Sequence, residues 1–195
     1  MSRDRVAVEQ RKTKETEIIA SVNLDGEGRS EIKTKIGFFD HMLEQIARHG
    51  NIDLELSVKG DLHIDTHHSI EDTGIALGKA FAKALGDKKG ITRFSSVLVP
   101  LDETLVRAVV DISGRPYLYT DLPFTREMVG DFPSEMVVEF MRAFAFNAGI
   151  TLHLEILHGK NCHHQVEAVF KALARALKEA VKIESDKIPS TKGVL

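Results

Sequence analysis

Two copies of one pattern decide what this chain can fold into: Thr66-His67-His68-Ser69-Ile70-Glu71 and Cys162-His163-His164-Gln165-Val166-Glu167. Each carries His-His-x-x-Glu, and each leads a long alanine- and leucine-containing stretch that reads as a helix. At about 100° per residue, the first His and the Glu four positions later share a helix face. The second His points about 100° away, so adjacent histidines are poorly placed to serve one ion. The doublets suit two ions on different sides of a helix end. A single His-His at a helix start is usually a cap or a packed imidazole; two copies with Glu at the same offset point to a dinuclear metal site.

Sliding one half of the chain over the other extends the pattern. Met42–Ile52 falls on Phe140–Ile150 without a gap, and His67, His68 and Glu71 fall on His163, His164 and Glu167. His41 precedes His67 by 26 residues and Glu139 precedes His163 by 24, a difference that a shorter loop in the second half would absorb. The register pairs His41 with Glu139. An internal repeat of this kind fixes the architecture before any chemistry is considered. It predicts an α+β chain, an internally duplicated two-layer α/β sandwich with a first half over 1–90 and a second over 91–195, in one compact unit.

Along the chain, residues 4–10, 16–24 and 32–36 read as extended. A helix runs from Phe38 to His49, closed by Gly50. Asn51–Lys59 alternates Ile52, Leu54, Leu56 and Val58 with polar residues, the pattern of a half-buried strand. The first doublet then leads a helix from about Ser69 to Leu85. In the second half, strands are expected near Arg93–Val99, Thr104–Ile112 and Tyr117–Leu122. A helix follows over Ser134–Asn147 with Ser134 as its cap and Gly149 closing it. A strand over Ile150–Leu157 precedes the second doublet, whose helix runs to about Lys182.

The candidate ligands are His41, His67, His68, Glu71, Glu139, His163, His164 and Glu167. Imidazoles with a few carboxylates suit Mn, Fe, Zn or Ni better than Ca or Mg. Lack of thiolate ligands argues against a finger-type structural zinc. By helix phase, His67 and Glu71 would serve one ion and His163 and Glu167 the other, with His68 and His164 crossing to the opposite ion. The site could close within one subunit or across a boundary. A net charge of −3 gives no footprint for nucleic acid, and no apolar run approaches the ~20 residues that cross a bilayer. The N-terminus lacks a signal-peptide core, and the single Cys162 fits a reducing cytoplasm.

With these motifs in hand, the chain resembles the imidazoleglycerol-phosphate dehydratase family of histidine biosynthesis. The resemblance rests on Arg11–Thr16, Phe39–Leu43, Asp65–Gly74, Asp111–Pro116, Gly159–Ala168 and Pro189–Leu195, in family order over nearly the whole chain. It implies a ribosomal protein S5 domain 2-like fold, two Mn²⁺ ions per active site, and trimers gathered into a 24-subunit cage with shared active sites. It implies the eight ligands named above, with Glu139 standing where the family often has His. Arg93, Arg115, Ser190 and Lys192 match positions that hold the substrate phosphate, and Glu15 matches a carboxylate near the reacting carbons. His49, about two turns beyond His41, joins them as a substrate-binding candidate.

The implied reaction dehydrates imidazoleglycerol phosphate to imidazoleacetol phosphate. Metals on both ring nitrogens would favour the imidazolate, which expels the C3 hydroxyl; a base, Glu15, removes the C2 proton. Catalytic roles fall to Glu15, His41, His67, Glu71, His163 and Glu167. The alternatives are a dinuclear metal phosphoesterase, since paired metals serve that chemistry too, and a non-catalytic metal-binding assembly protein.

Overall fold

The computed structural model describes residues 5–195. The first half contains β1 (Val6–Lys12), β2 (Thr16–Asn23), β3 (Ser30–Lys33), α1 (Gly37–Gly50), β4 (Asp53–Gly60) and α2 (His67–Leu85). The second contains β5 (Phe94–Leu101), β6 (Thr104–Asp111), β7 (Tyr117–Asp121), β8 (Met128–Val129), β9 (Phe132–Pro133), α3 (Met136–Ala148), β10 (Thr151–His158) and α4 (Cys162–Ala180). The expected first strand began at residue 4, which lies outside the described residues.

The duplication is explicit in the sheets. One has strand order β1-β2-β4-β3 and the other β5-β6-β10-β7. In each, the last pair, β3 with β4 and β7 with β10, is parallel and the others are antiparallel. A parallel pair needs a crossover, supplied by α1 in one half and α3 in the other. Alternation drives the strands: Leu54, Leu56 and Val58 of β4, like Leu152, Leu154 and Ile156 of β10, turn inward and are buried. The β10–α4 loop is the shorter, as the two-residue difference requires.

Helices cover the inner face of each sheet, and the two helix layers meet, α1 against α4 and α2 against α3. Between them lies a run of buried phenylalanines. Phe39 stacks on Phe132 (5.7 Å between centroids) and meets Phe140 edge-on (5.4 Å), while Phe140 stacks on Phe170 (5.4 Å). At Gly74 and Gly78 the neighbouring helix comes too close for a side chain. A Cβ there would stand 2.8 Å from the Phe140 carbonyl oxygen and 2.6 Å from that of Phe144.

Three local expectations need correction. Gly50 does not close α1: it is still helical, and Asn51 (φ 52°) takes the left-handed position that Gly149 (φ 67°) takes after α3. Asn tolerates this region because its short side chain can hydrogen-bond locally. Ser134 does not cap α3; its hydroxyl donates to the Arg126 carbonyl, and the helix begins after Glu135 with no side-chain cap. The β8–β9 hairpin has no counterpart in the first half, and strands of two residues carry no periodic signal.

Candidate metal centre and anion cleft

Helices α1 and α4 run side by side in the same direction, His41 beside Glu167 and Gly50 near the Ala174 carbonyl. His41 Nε2 lies 3.3 Å and His163 Nε2 3.0 Å from the same oxygen, Glu167 Oε2. These three residues each offer a donor atom within 4.8 Å of the others. Phe38 stands edge-on to both imidazoles, 6.4 Å from His41 and 5.2 Å from His163, an apolar wall on the cluster.

The helix starts are fixed by borrowed acceptors. Ile36 cannot cap α1, and Asp131 of the β8–β9 turn does so instead, accepting from the Gly37 and Phe38 amides. At α4, Asn161 Oδ1 accepts from the His163 amide at 3.0 Å. The other Glu167 oxygen takes Lys171 Nζ at 2.5 Å. Burial pushes the Glu167 carboxyl up, but Lys171, with His163 and His41, outweighs it and holds the group below its ordinary value. A charged carboxylate therefore faces the two imidazoles.

The counterpart on α2 and α3 is looser. His67 Nε2 lies 3.7 Å from Glu71 Oε2. Glu139, the register equivalent of His41, instead grips Arg142 through both oxygens, at 2.6 and 2.8 Å. Among the described residues, only the His41 group brings three donors together. His68 and His164 turn elsewhere. His68 Nδ1 faces Asp61, whose hydrogen bond raises the imidazole pKa, and His164 Nδ1 lies 2.8 Å from Glu103 Oε2.

Glu15 sits in the β1–β2 turn, half-exposed, with Oε1 3.9 Å from His68 Nε2. The turn is braced from below. Thr13 Oγ1 accepts from the Glu15 and Thr16 amides, and the buried Asp72 accepts from Thr16 Oγ1 (2.5 Å) and Arg11 (2.7 Å).

Arg93, Arg115, Ser190 and Lys192 line one open cleft of about 780 Å³. Arg93 organises it. Its guanidinium pairs with both oxygens of Asp111 (2.7 and 3.2 Å) and holds the Pro189 carbonyl at 2.7 Å, so it anchors the C-terminal segment to β6. Its backbone adopts φ 73°, a conformation non-glycine residues keep only where their surroundings enforce it. Arg115 is freer, its side chain 68 % exposed and 3.6 Å from Asp111. His49 lies away at the far end of α1; burial first, then Lys171 and Arg175, pushes its pKa down and keeps it neutral.

Sequence reasoning missed Asp61, Asp72, Glu103, Asp111, Asp131 and Lys171. Most come from turns or single strand positions without a periodic signal. Glu103 had one: Glu103-Thr104 repeats Glu15-Thr16 immediately before the second strand of its half.

Comparison with known proteins adds an independent line. The family model for imidazoleglycerol-phosphate dehydratase matches residues 34–177. The imidazoleglycerol-phosphate dehydratase of Thermoanaerobacter pseudethanolicus is 60% identical over 193 residues, 98% of this chain and 100% of its own. That of Caldanaerobacter subterraneus is 61% identical over the same span and coverage. Among solved structures, the Staphylococcus aureus enzyme superposes with a TM-score of 0.84 at 39% identity, covering 92% of this chain and 99% of its own. The Pyrococcus furiosus enzyme gives 0.83 at 39% identity, covering 95% and 99%.

Proposed function

The chain belongs to the imidazoleglycerol-phosphate dehydratase family of histidine biosynthesis, and from that premise we propose that it dehydrates imidazoleglycerol phosphate with two Mn²⁺ ions per active site. The observation that carries the metal reading is the group His41, His163 and Glu167, two imidazole nitrogens and a charged carboxylate within 4.8 Å. That donor set suits Mn²⁺. His67 and Glu71 would hold the second ion, with Glu139 released from Arg142, and His68 and His164 would complete the coordination. When bound, the ions supply Lewis-acid polarisation of the substrate's imidazole ring.

The rest of the work falls to side chains. The cations of the cleft, Arg93, Arg115 and Lys192, bind the phosphate by charge-assisted hydrogen bonds, with Ser190 as a further donor. Glu15, held forward on its braced turn, removes the C2 proton as the C3 hydroxyl departs. The resulting enol tautomerises to the ketone, imidazoleacetol phosphate.

One distance supports assembly. The Arg93 amide donates to the Ala180 carbonyl at the end of α4, while His163 and Glu167 stand at its start. Seventeen residues of helix separate His163 from Ala180, about 25 Å at ~1.5 Å per residue. A substrate with three carbons between ring and phosphate cannot reach both within one subunit. On this reading cluster and cleft from different copies would meet, which supports trimers gathered into a 24-subunit cage. Val6, Val8 and Ile19 of one sheet, and Phe94 and Leu98 of the other, are large apolar residues left exposed, as surfaces for other copies would be. Cys162 is a buried free thiol, in keeping with the cytoplasm.

The test is particle size by light scattering, with EDTA and then with added Mn²⁺, alongside a dehydratase assay of each sample. Small oligomers that gather into a large, active particle on adding Mn²⁺ are expected. A size indifferent to metal, with release of inorganic phosphate in place of a keto product, would overturn the reading in favour of a phosphoesterase.

A further inference from the structure

His68 and His164 stand outside the three-donor cluster, yet each is held in the same manner. Resting on the metal reading above, we propose that Asp61 and Glu103 are positioning residues that grip these imidazoles by Nδ1, so that Nε2 of each faces outward as a metal donor.

The geometry is direct. His68 Nδ1 lies 3.2 and 3.0 Å from the two Asp61 oxygens, and His164 Nδ1 lies 2.8 Å from Glu103 Oε2. An ionised carboxylate only accepts, so the proton of each neutral imidazole stands on Nδ1 and the lone pair on Nε2. The carboxylates nearest to Nε2 are Glu15 for His68 and Asp102 for His164, each at 3.9 Å, beyond hydrogen-bond reach. Both imidazoles are partly open, 34 % and 26 % exposed. Residues that orient a ligating imidazole through its other nitrogen fix its tautomer and raise its basicity.

Glu103 divides its two oxygens between two jobs. Oε1 accepts from the Lys160 and Asn161 amides and ties down the loop before α4, while Oε2 takes the imidazole. The duplication shows how the role was distributed. Glu15 and Glu103 occupy the same place, directly before Thr16 and Thr104, the first residues of β2 and β6. In the first half Asp61, from the loop after β4, takes over the imidazole. Glu15 is thereby left with no hydrogen bond on its carboxylate among the described residues, its nearest partner being His68 at 3.9 Å. The two halves thus carry one clamped carboxylate and one that is free to exchange a proton.

The substitution Glu103→Gln separates these jobs. Its amide oxygen still accepts from Lys160 and Asn161, but its NH₂ group now faces Nδ1, which must accept, moving the proton to Nε2. At Asp61 neither carboxylate oxygen is held by another donor among the described residues, so Asp61→Asn would keep accepting; Asp61→Leu is used instead and leaves His68 Nδ1 without its acceptor. Each variant is measured as the full-length protein by Mn²⁺ titration, read from the electron paramagnetic resonance of free Mn²⁺, and by ¹⁵N NMR of its histidines without metal. The expected result is a loss of Mn²⁺ affinity of about 10- to 100-fold, with the proton moved to Nε2 and the metal-free melting temperature kept. Unchanged tautomers and affinity, in a protein whose wild type binds Mn²⁺, would overturn the positioning role and leave the metal reading intact. A wild type that binds no Mn²⁺ would overturn both. If Glu103→Gln does not fold, Asp61→Leu decides the matter alone.

Discussion

The Asp131 carboxylate accepts a hydrogen bond from the Gly37 amide at 2.6 Å, across ninety-four residues of chain. With the Phe38 amide as its second donor, it caps from the second half a helix of the first, and that helix carries His41. Asp131→Ala leaves two orphan amides at the α1 start. A stability loss of about 1 kcal/mol is expected from denaturant unfolding, together with weaker Mn²⁺ binding as His41 loosens. Asp131→Asn, which keeps an acceptor, should recover most of both.

Glu15→Gln removes the proposed base without touching a metal donor. Turnover should fall by about 10²- to 10⁴-fold, with Mn²⁺ content by elemental analysis the same as wild type. Equal loss of metal and turnover would assign Glu15 to the metal site instead.

Metal binding should also be visible in stability. On the proposed reading Mn²⁺ binds the folded protein and not the unfolded chain, so it should raise the melting temperature in a concentration-dependent way, and EDTA should reverse the rise. Imidazole ligands bind metal only in their neutral form, and the Asp61 hydrogen bond raises the His68 pKa above its ordinary value, so protons compete with the ion there. The Mn²⁺-induced rise should therefore be fullest at about pH 8 and should shrink towards about pH 6, as imidazoles take up protons. Calorimetric scans at both pH values check this; an equal rise at both would mean that the histidines are not ligands.

The length of α4 predicts complementation. His163→Ala damages the metal cluster, and Arg115→Ala removes an exposed cation from the cleft. Each variant alone should have little activity. Dissociated with EDTA, mixed and reassembled with Mn²⁺, they should recover part of it, because some sites then combine an intact cluster with an intact cleft. No recovery would mean that one subunit supplies both.

How much of this was legible beforehand follows from periodicity. The repeat, the helices behind both doublets and the alternating strands such as β4 were readable, because helical and strand spacing write them into the sequence. The pairing of His163 with Glu167 follows from helix phase alone, and that of His41 with them needed the fold. Register placed Glu139 opposite His41 but could not show Arg142, one turn on, claiming its carboxylate. Asp61, Asp111 and Asp131 act through distances in space that have no fixed offset in sequence. Gly50 misled because the left-handed position one residue later belongs to Asn51, where side-chain chemistry does what a missing Cβ does in the other half.

The clamped state of Glu103 has a bearing on ancestry. A chain that arose by doubling began with two interchangeable parts, and this one can no longer be taken back to that state. Two first halves in tandem would carry two unengaged turn carboxylates and no clasp between the β5–β6 turn and the loop before α4. Two second halves would have the clasp twice and no loose carboxylate at either turn. The asymmetry of one glutamate pair thus makes the duplication a one-way step.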